Sequence, residues 1–148
     1  MSPFQNNPIG VIDSGVGGIS VLKCIREHLF HENLIYVADS KFAPYGEKSS
    51  EEITHRVLTV FDFLNKQDVK SVVIACNTAT AASIQILRDR FSYPIIGMEP
   101  AVKPASLMSK NKIVGILATS GTLLSAKFSA LLEHHSNDIH FITQPCFG

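Results

Sequence analysis

The chain has 148 residues, of which thirteen are basic and thirteen are acidic, so it carries no formal net charge at neutral pH. A balanced charge gives no general attraction to nucleic acid or to an anionic membrane, and a small-molecule partner is therefore expected. The opening sequence MSPFQNNP lacks the basic and apolar regions of a signal peptide, and no apolar run reaches the roughly 20 residues that span a bilayer. We expect no membrane partner and a cytoplasmic location.

Short segments rich in Val and Ile alternate with helix-length segments, a pattern typical of parallel strands that are buried on both faces. The predicted strands are residues 9–13, 34–38, 71–75, 95–97, 112–118 and 139–143. The predicted helices, which have apolar residues near helical spacing, are residues 18–29, 51–64, 78–91 and 125–135. The fold class is therefore α/β, with an open, mostly parallel sheet flanked by helices.

A proline-rich stretch over residues 97–104 interrupts this alternation. Such stretches are typical of domain boundaries. We predict a first α/β domain over residues 1–98 and the start of a second, similar domain over residues 99–148.

The first polar strand end is a D-S-G-V-G-G run that begins at Asp13. In an open α/β sheet, ligands bind beyond the carboxyl ends of the strands. The glycines could simply form a tight turn, with Asp13 or Ser14 satisfying backbone N–H groups. Dinucleotide binding is the alternative, with Asp39 as a ribose-binding carboxylate. However, the G-x-G-x-x-G fingerprint fails at its last position, which is Ser20, and a carboxylate at Asp13 would repel phosphate.

The second polar strand end is Cys76-Asn77-Thr78, which opens the third predicted helix. A cysteine at the end of an apolar strand is commonly an inert core thiol. Here the helix N-terminus would stabilise a thiolate, and the Asn77 and Thr78 side chains and amides could bind a carboxylate. Both interpretations stay open here: an inert core thiol, or a reactive thiol combined with an anion-binding site.

Two weaker features follow later strands. Tyr45 and Gly46 lie in a P-Y-G sequence that could equally be an ordinary turn, and Thr119 to Thr122 could equally be a helix cap. The three cysteines lie far apart, without the spacing of a zinc site or of a disulfide framework. No carboxylate or cysteine completes a metal set around the histidines, so no metal site is predicted.

Several motifs together resemble a known family. In the same order, D-S-G-V-G-G at residues 13–18, A-P-Y-G at 43–46 and A-C-N-T-A-T at 75–80 are similar to glutamate racemases. The similarity extends through residues 97–105 and 118–122. The Cys-Asn-Thr run is shared with the wider aspartate/glutamate racemase family, whereas the D-S-G-x-G-G opening favours the glutamate branch.

The resemblance implies a cofactor-independent enzyme that interconverts L- and D-glutamate and supplies D-glutamate for peptidoglycan. One thiolate removes the α-proton and a thiol on the opposite face returns one, because a single base tends to return the proton to the same face. The implied catalytic residues are Cys76 and Asp13, with Asp13 assisting proton movement or holding the substrate ammonium group. The implied glutamate-binding residues are Asp13, Ser14, Tyr45, Gly46, Asn77, Thr78, Thr119 and Thr122. No cofactor is implied, and a homodimer is a candidate assembly.

The resemblance also implies a second cysteine in a Cys-Thr-His motif, which this sequence lacks, since Phe147 and Gly148 follow Cys146. The family's C-terminal segment that returns to complete the first domain is likewise missing, so we expect either an unpaired sheet edge or a sheet that another chain completes. We therefore expect the chain by itself to lack full racemase activity. Two alternatives stay open: a non-catalytic dicarboxylate-binding or interaction module and, third, a dinucleotide-binding domain.

Overall fold

The computed structural model describes residues 6–146, so the outermost residues of the two predicted domains, 1–5 and 147–148, lie outside the described residues. The strands are β1 (Ile9–Asp13), β2 (Leu34–Ala38), β3 (Ser71–Ile74), β4 (Ile95–Gly97), β5 (Ile113–Ala118) and β6 (His140–Pro145). The α-helices are α1 (Ile19–His28), α2 (Ser50–Asn65), α3 (Asn77–Arg90), α4 (Val102–Met108), α5 (Ser120–Leu123) and α6 (Ala126–His135). Short 3₁₀ turns occupy Ser40–Phe42, Tyr45–Glu47 and Ser136–Asp138.

The first four strands form a parallel sheet in the order β2-β1-β3-β4, and β5 pairs in parallel with β6 in a second sheet. Parallel strands connected by helices confirm the predicted α/β class. The chain runs outward from β1 to β2 and then crosses back to β3 on the other side of β1. This reversal is a topological switch point, where the loops that leave β1 and β3 diverge and open a crevice. The two strand ends in that crevice are those of Asp13 and Cys76.

The main core lies between the first sheet and helices α2 and α3. Its most completely buried large side chains are Phe61, Leu64, Ile74 and Leu87. Helix α2 presents one apolar face because its buried residues recur at three- and four-residue intervals. Its N-terminus is fixed by a capping box, in which the Ser49 side chain accepts from the Glu52 N–H and the Glu52 carboxylate accepts from the Ser49 N–H.

A smaller buried cluster lies between the second sheet and its helices, and consists of Val102, Val114, Ile116 and Phe128. The two clusters are built from different parts of the chain. A domain boundary at residue 98 stays a prediction.

Helix α4 was not predicted, because the prolines near residue 100 suggested a connection without regular structure. Pro104 is the third residue of this helix. The N–H groups of a first helical turn have no intrahelical acceptor, so proline is tolerated there. Within residues 6–146, no helix is both long enough and apolar enough to cross a membrane.

The Tyr93 hydroxyl provides a test of the main core. Tyr93 packs near Phe61 and Phe91, and burial, helped by the charge of Asp62, raises the pKa of Tyr93 to about 12. Among the described residues, this buried hydroxyl has no hydrogen-bond partner. Because a buried unpaired polar group costs about 1–3 kcal/mol, Tyr93→Phe should leave the free energy of unfolding unchanged or raise it. Urea unfolding followed by circular dichroism measures the effect.

Tyr45→Phe is the matched control, since the Tyr45 hydroxyl donates to Asp39 Oδ2 at 2.7 Å. This variant should lower the free energy of unfolding by about 1–2 kcal/mol. Equal losses for the two variants would contradict the assignment of Tyr93 as unpaired.

Candidate active site

The turn after β1 places Asp13 and Ser14 at the switch point. Asp13 Oδ2 accepts from the Gly15 N–H at 3.0 Å, and the Tyr36 hydroxyl donates to the Gly15 carbonyl at 2.8 Å. Burial, and next the negative charge of Asp13, raise the pKa of Tyr36, so that its hydroxyl keeps its proton for this bond. The turn is therefore held from both sides of Gly15.

Gly18 in this turn meets a packing requirement. A Cβ atom added to Gly18 would lie 2.6 Å from Asp13 Cβ and 3.1 Å from Ala75 Cβ. Both neighbours are the first atoms of their side chains and cannot rotate away. Glycine therefore lets the start of α1 approach the ends of β1 and β3 closely.

Cys76 lies at the N-terminus of α3, in the N-cap position. Its Sγ accepts from the Ala79 N–H at 3.4 Å, and Ser14 Oγ lies 3.7 Å from the same sulfur. Cys76 is 9% exposed. A helix N-terminus and a backbone N–H donor both favour negative charge on sulfur. The site thus holds a buried thiol at a helix N-terminus, with a hydroxyl beside it.

Three threonine hydroxyls form a cluster beyond Cys76, which we call the threonine cluster (Thr78, Thr119 and Thr122). Thr78 Oγ1 lies 3.0 Å from Thr119 Oγ1 and 3.2 Å from Thr122 Oγ1, and the latter two lie 3.1 Å apart. The cluster joins the first turn of α3 to α5. It therefore connects the part of the chain that forms the second sheet to the part that forms the first sheet. Each hydroxyl has one proton and two lone pairs, so a bound carboxylate could accept in place of a neighbouring threonine.

The turn at Tyr45 and Gly46 packs against the threonine cluster. A Cβ atom on Gly46 would lie 2.5 Å from Thr119 Cγ2. The Tyr45 ring is buried, and its hydroxyl donates to Asp39. Burial and the bond to Asp39 raise the pKa of Tyr45 well above its usual range. The hydroxyl therefore stays protonated and directed at Asp39.

Asp39 receives two further hydrogen bonds from Arg56. Arg56 Nε donates to Oδ2 at 3.0 Å and Nη2 donates to Oδ1 at 2.9 Å, while the guanidinium lies 3.7 Å from the centroid of the Phe42 ring. We call the four residues Asp39, Arg56, Phe42 and Tyr45 the Asp39 network. Burial acts to raise the pKa of Asp39, but the hydrogen bonds and charge of Arg56 and the bond from Tyr45 together lower it.

The structure brings together several of the predicted site residues. Ser14 lies against Cys76, the three threonines contact one another, and Gly46 packs on Thr119. Asn77 is exposed and shares a small cleft with Thr122. Among residues 6–146, no three His, Cys, Asp or Glu side chains are grouped so that they could hold a metal ion.

Sequence reasoning missed Tyr36, Phe42 and Arg56. A signal for Arg56 was available, because it lies three residues after Ile53 and next to Val57, at the border of the buried face of α2. A charge at such a border is typically paired. The carboxylate of Asp39 was identified from its position after β2, but its partners were not.

Comparison with known proteins gives one family. The family model described as Asp/Glu/Hydantoin racemase matches residues 9–144. The glutamate racemase of Ectopseudomonas mendocina is 56% identical over 142 residues, which cover 95% of this chain and 54% of that protein. The glutamate racemase of Methylococcus capsulatus is 55% identical over 144 residues, with 97% and 53% covered. The chain spans about half the length of the curated relatives it matches.

Solved structures agree with this assignment. Escherichia coli glutamate racemase, in complex with L-glutamate and the activator UDP-MurNAc-Ala, has a TM-score of 0.87 and 37% identity, with 94% of this chain and 53% of that chain covered. The Francisella tularensis glutamate racemase, in complex with D-glutamate, has a TM-score of 0.79 and 33% identity, with 96% and 53% covered.

The packing at Gly18 predicts a sharp difference between two adjacent glycines. Gly18→Ala should lower the free energy of unfolding by about 1–3 kcal/mol, because the added methyl group overpacks a rigid contact. Gly17→Ala should stay within about 0.5 kcal/mol of the parent, since its added Cβ would meet only Asp13 Oδ2, at 3.8 Å. Chemical denaturation compares the two. Equal effects would argue against close packing at Gly18.

The Asp39 network predicts a dependence of stability on pH. The pKa of Asp39 is lower in the folded protein than in the unfolded chain. Its contribution to the free energy of unfolding is therefore complete above the pKa in the unfolded chain and is lost as the pH falls through the pKa in the folded protein. Asp39→Asn should lower the free energy of unfolding by about 2 kcal/mol or more at neutral pH. This gap in stability between the variant and the parent should narrow below about pH 4. Urea midpoints over a pH series measure the gap. A gap that stays constant or widens on acidification would contradict the prediction.

Proposed function

The chain belongs to the Asp/Glu/hydantoin racemase family, and on that premise we propose that it acts on glutamate as a cofactor-independent racemase, with Cys76 as one of two reacting thiols. The observation that carries the proposal is the position of Cys76. It is a buried thiol at a helix N-terminus, at a switch point of the sheet, with Ser14 Oγ 3.7 Å from its sulfur.

The proposed step is a proton transfer from the α-carbon of glutamate. The Cys76 thiolate forms an S–H bond as the Cα–H bond breaks, and the electron pair left on Cα is delocalised into the α-carboxylate. Hydrogen-bond donors placed at that carboxylate stabilise the charge that develops there. Inversion is complete when an acid on the opposite face protonates Cα. The Cys-Thr-His motif implied for that acid is not present in this sequence.

We propose that the carboxylates of glutamate are bound by the donors around Cys76. These donors are the hydroxyls of Ser14 and of the threonine cluster, the Asn77 side chain and the backbone at Gly46. Asp13 is proposed to assist the proton transfer or to hold the substrate ammonium group. Because the Tyr45 hydroxyl already donates to Asp39, we assign the contribution of Tyr45 to the backbone of its turn.

The biological role proposed for this activity is the supply of D-glutamate for peptidoglycan, in the cytoplasm. The relatives from E. coli and F. tularensis, whose structures hold L-glutamate and D-glutamate respectively, support glutamate as the substrate. A homodimer remains a prediction. Dinucleotide binding is disfavoured by two contacts, since Asp39 already receives three hydrogen bonds and Asp13 already occupies the Gly15 N–H.

Exchange of the α-proton of glutamate with solvent tests the proposal. In D₂O, proton NMR should show loss of the Cα–H signal for one enantiomer, because Cys76 removes a proton and the same thiol returns a deuteron. Cys76→Ser keeps an oxygen at the N-cap of α3 but lacks the thiolate, and should slow the exchange by about 10²- to 10⁴-fold. Cys24→Ser, at an exposed position on α1, should leave the exchange rate unchanged.

Exchange of neither enantiomer by the folded protein, or exchange that survives Cys76→Ser, would contradict the proposal. Calorimetric binding of glutamate without exchange would instead support a dicarboxylate-binding module. Protection from thermal unfolding by NAD, but not by glutamate, would favour the dinucleotide alternative.

A further inference from the structure

The Asp39 network connects helix α2 to the turn that borders the candidate site. Arg56 and Asp39 are mostly buried, with 22% and 11% of their side chains exposed, and they pair through two hydrogen bonds. Bidentate pairs of this kind fix orientation as well as distance. The stacking of the guanidinium on Phe42 fixes its plane.

The network holds Tyr45 from one side while the threonine cluster holds Gly46 from the other. The Tyr45 hydroxyl donates to the same Asp39 oxygen that accepts from Arg56 Nε. Tyr45 and Cys76 belong to the same buried cluster. The Tyr45 ring therefore packs in the same core as the candidate thiol.

We propose that Arg56 is a positioning residue for this site, which holds the turn at Tyr45 and Gly46 in place through Asp39. Arg56 acts through Asp39. Its Nε and Nη2 both donate to Asp39, and Asp39 accepts from the Tyr45 hydroxyl. A lysine could supply the charge but not the fork of two donors or the stacked plane. The proposal adds a positioning residue to the proposed active site. Its measurement with glutamate rests on the proposed function.

The test measures alkylation of Cys76 by iodoacetamide in a parent protein that carries Cys24→Ser and Cys146→Ser, so that Cys76 is the remaining thiol. Arg56→Gln should raise the alkylation rate roughly tenfold, because charged hydrogen bonds that hold the turn closed are lost. Arg56→Gln should also raise, by a similar factor, the glutamate concentration at which the alkylation rate of Cys76 falls to half. Arg56→Lys should fall between Arg56→Gln and the parent.

Arg90→Gln is the matched control. Arg90 also donates to an aspartate, Asp62, at 2.9 Å and lies near a phenylalanine ring, but this pair is half exposed and lies away from Cys76. This variant should leave the alkylation rate within about twofold of the parent, as is usual for an exposed ion pair. Urea midpoints of all variants are measured in parallel.

The proposal is overturned if Arg56→Gln lowers the urea midpoint but leaves the alkylation rate equal to that of Arg90→Gln, since that result describes a purely structural pair. If Arg56→Gln does not fold, Tyr45→Phe replaces it. This variant keeps the buried ring and loses the bond to Asp39, and an unchanged alkylation rate would again overturn the proposal. Absence of glutamate protection in the parent would contradict the proposed function alone, because the rates without glutamate still test positioning.

Discussion

The candidate site depends on the parallel register between β1 and β3. Ile12 pairs with Ile74, and the Ala75 N–H donates to the Ile12 carbonyl at 2.8 Å. These contacts bring two chain segments more than sixty residues apart to the same edge, so that Ser14 lies beside Cys76. β2 lies on one side of this pair and β4 on the other, so the connections that leave β1 and β3 run in opposite directions. The crevice lies where these two connections separate. A shift of one residue in register would turn the side chains of one strand to the opposite face.

Around this pair, each loop is held by contacts that leave the site residues in one arrangement. Gly18 lets α1 close on β1 and β3, the threonine cluster joins α3 to α5, and the Asp39 network holds the turn at Tyr45. The threonine cluster and the Asp39 network are polar and mostly buried, so each donor in them must have an acceptor in the folded state. A site built in this way is organised before its ligand arrives, and the cost of ordering it is part of folding.

The sequence predicted the strands from short runs rich in Val and Ile, and the four longer helices from apolar residues near helical spacing; their alternation predicted the α/β class. Helix α4 was missed because proline signals a break unless it falls in a first helical turn, and the sequence does not show where the turn begins. The site residues were predicted from their positions at strand ends and from the resemblance. What could not be predicted is how they pair. Nothing in the pattern shows that the Tyr45 hydroxyl is directed to Asp39, or that Arg56 on a distant helix completes that contact.

The turn after β1 shows why a glycine-rich strand-to-helix connection does not by itself predict phosphate binding. Free backbone N–H groups at such a turn attract anions. Here Asp13 supplies its own carboxylate to the Gly15 N–H, and Gly18 serves packing against Asp13 and Ala75. The turn therefore carries an internal carboxylate, whose negative charge would repel a diphosphate. For the proposed substrate, which carries an ammonium group and carboxylates, we propose that Asp13 attracts the ammonium group and that the N-terminus of α3 attracts a carboxylate.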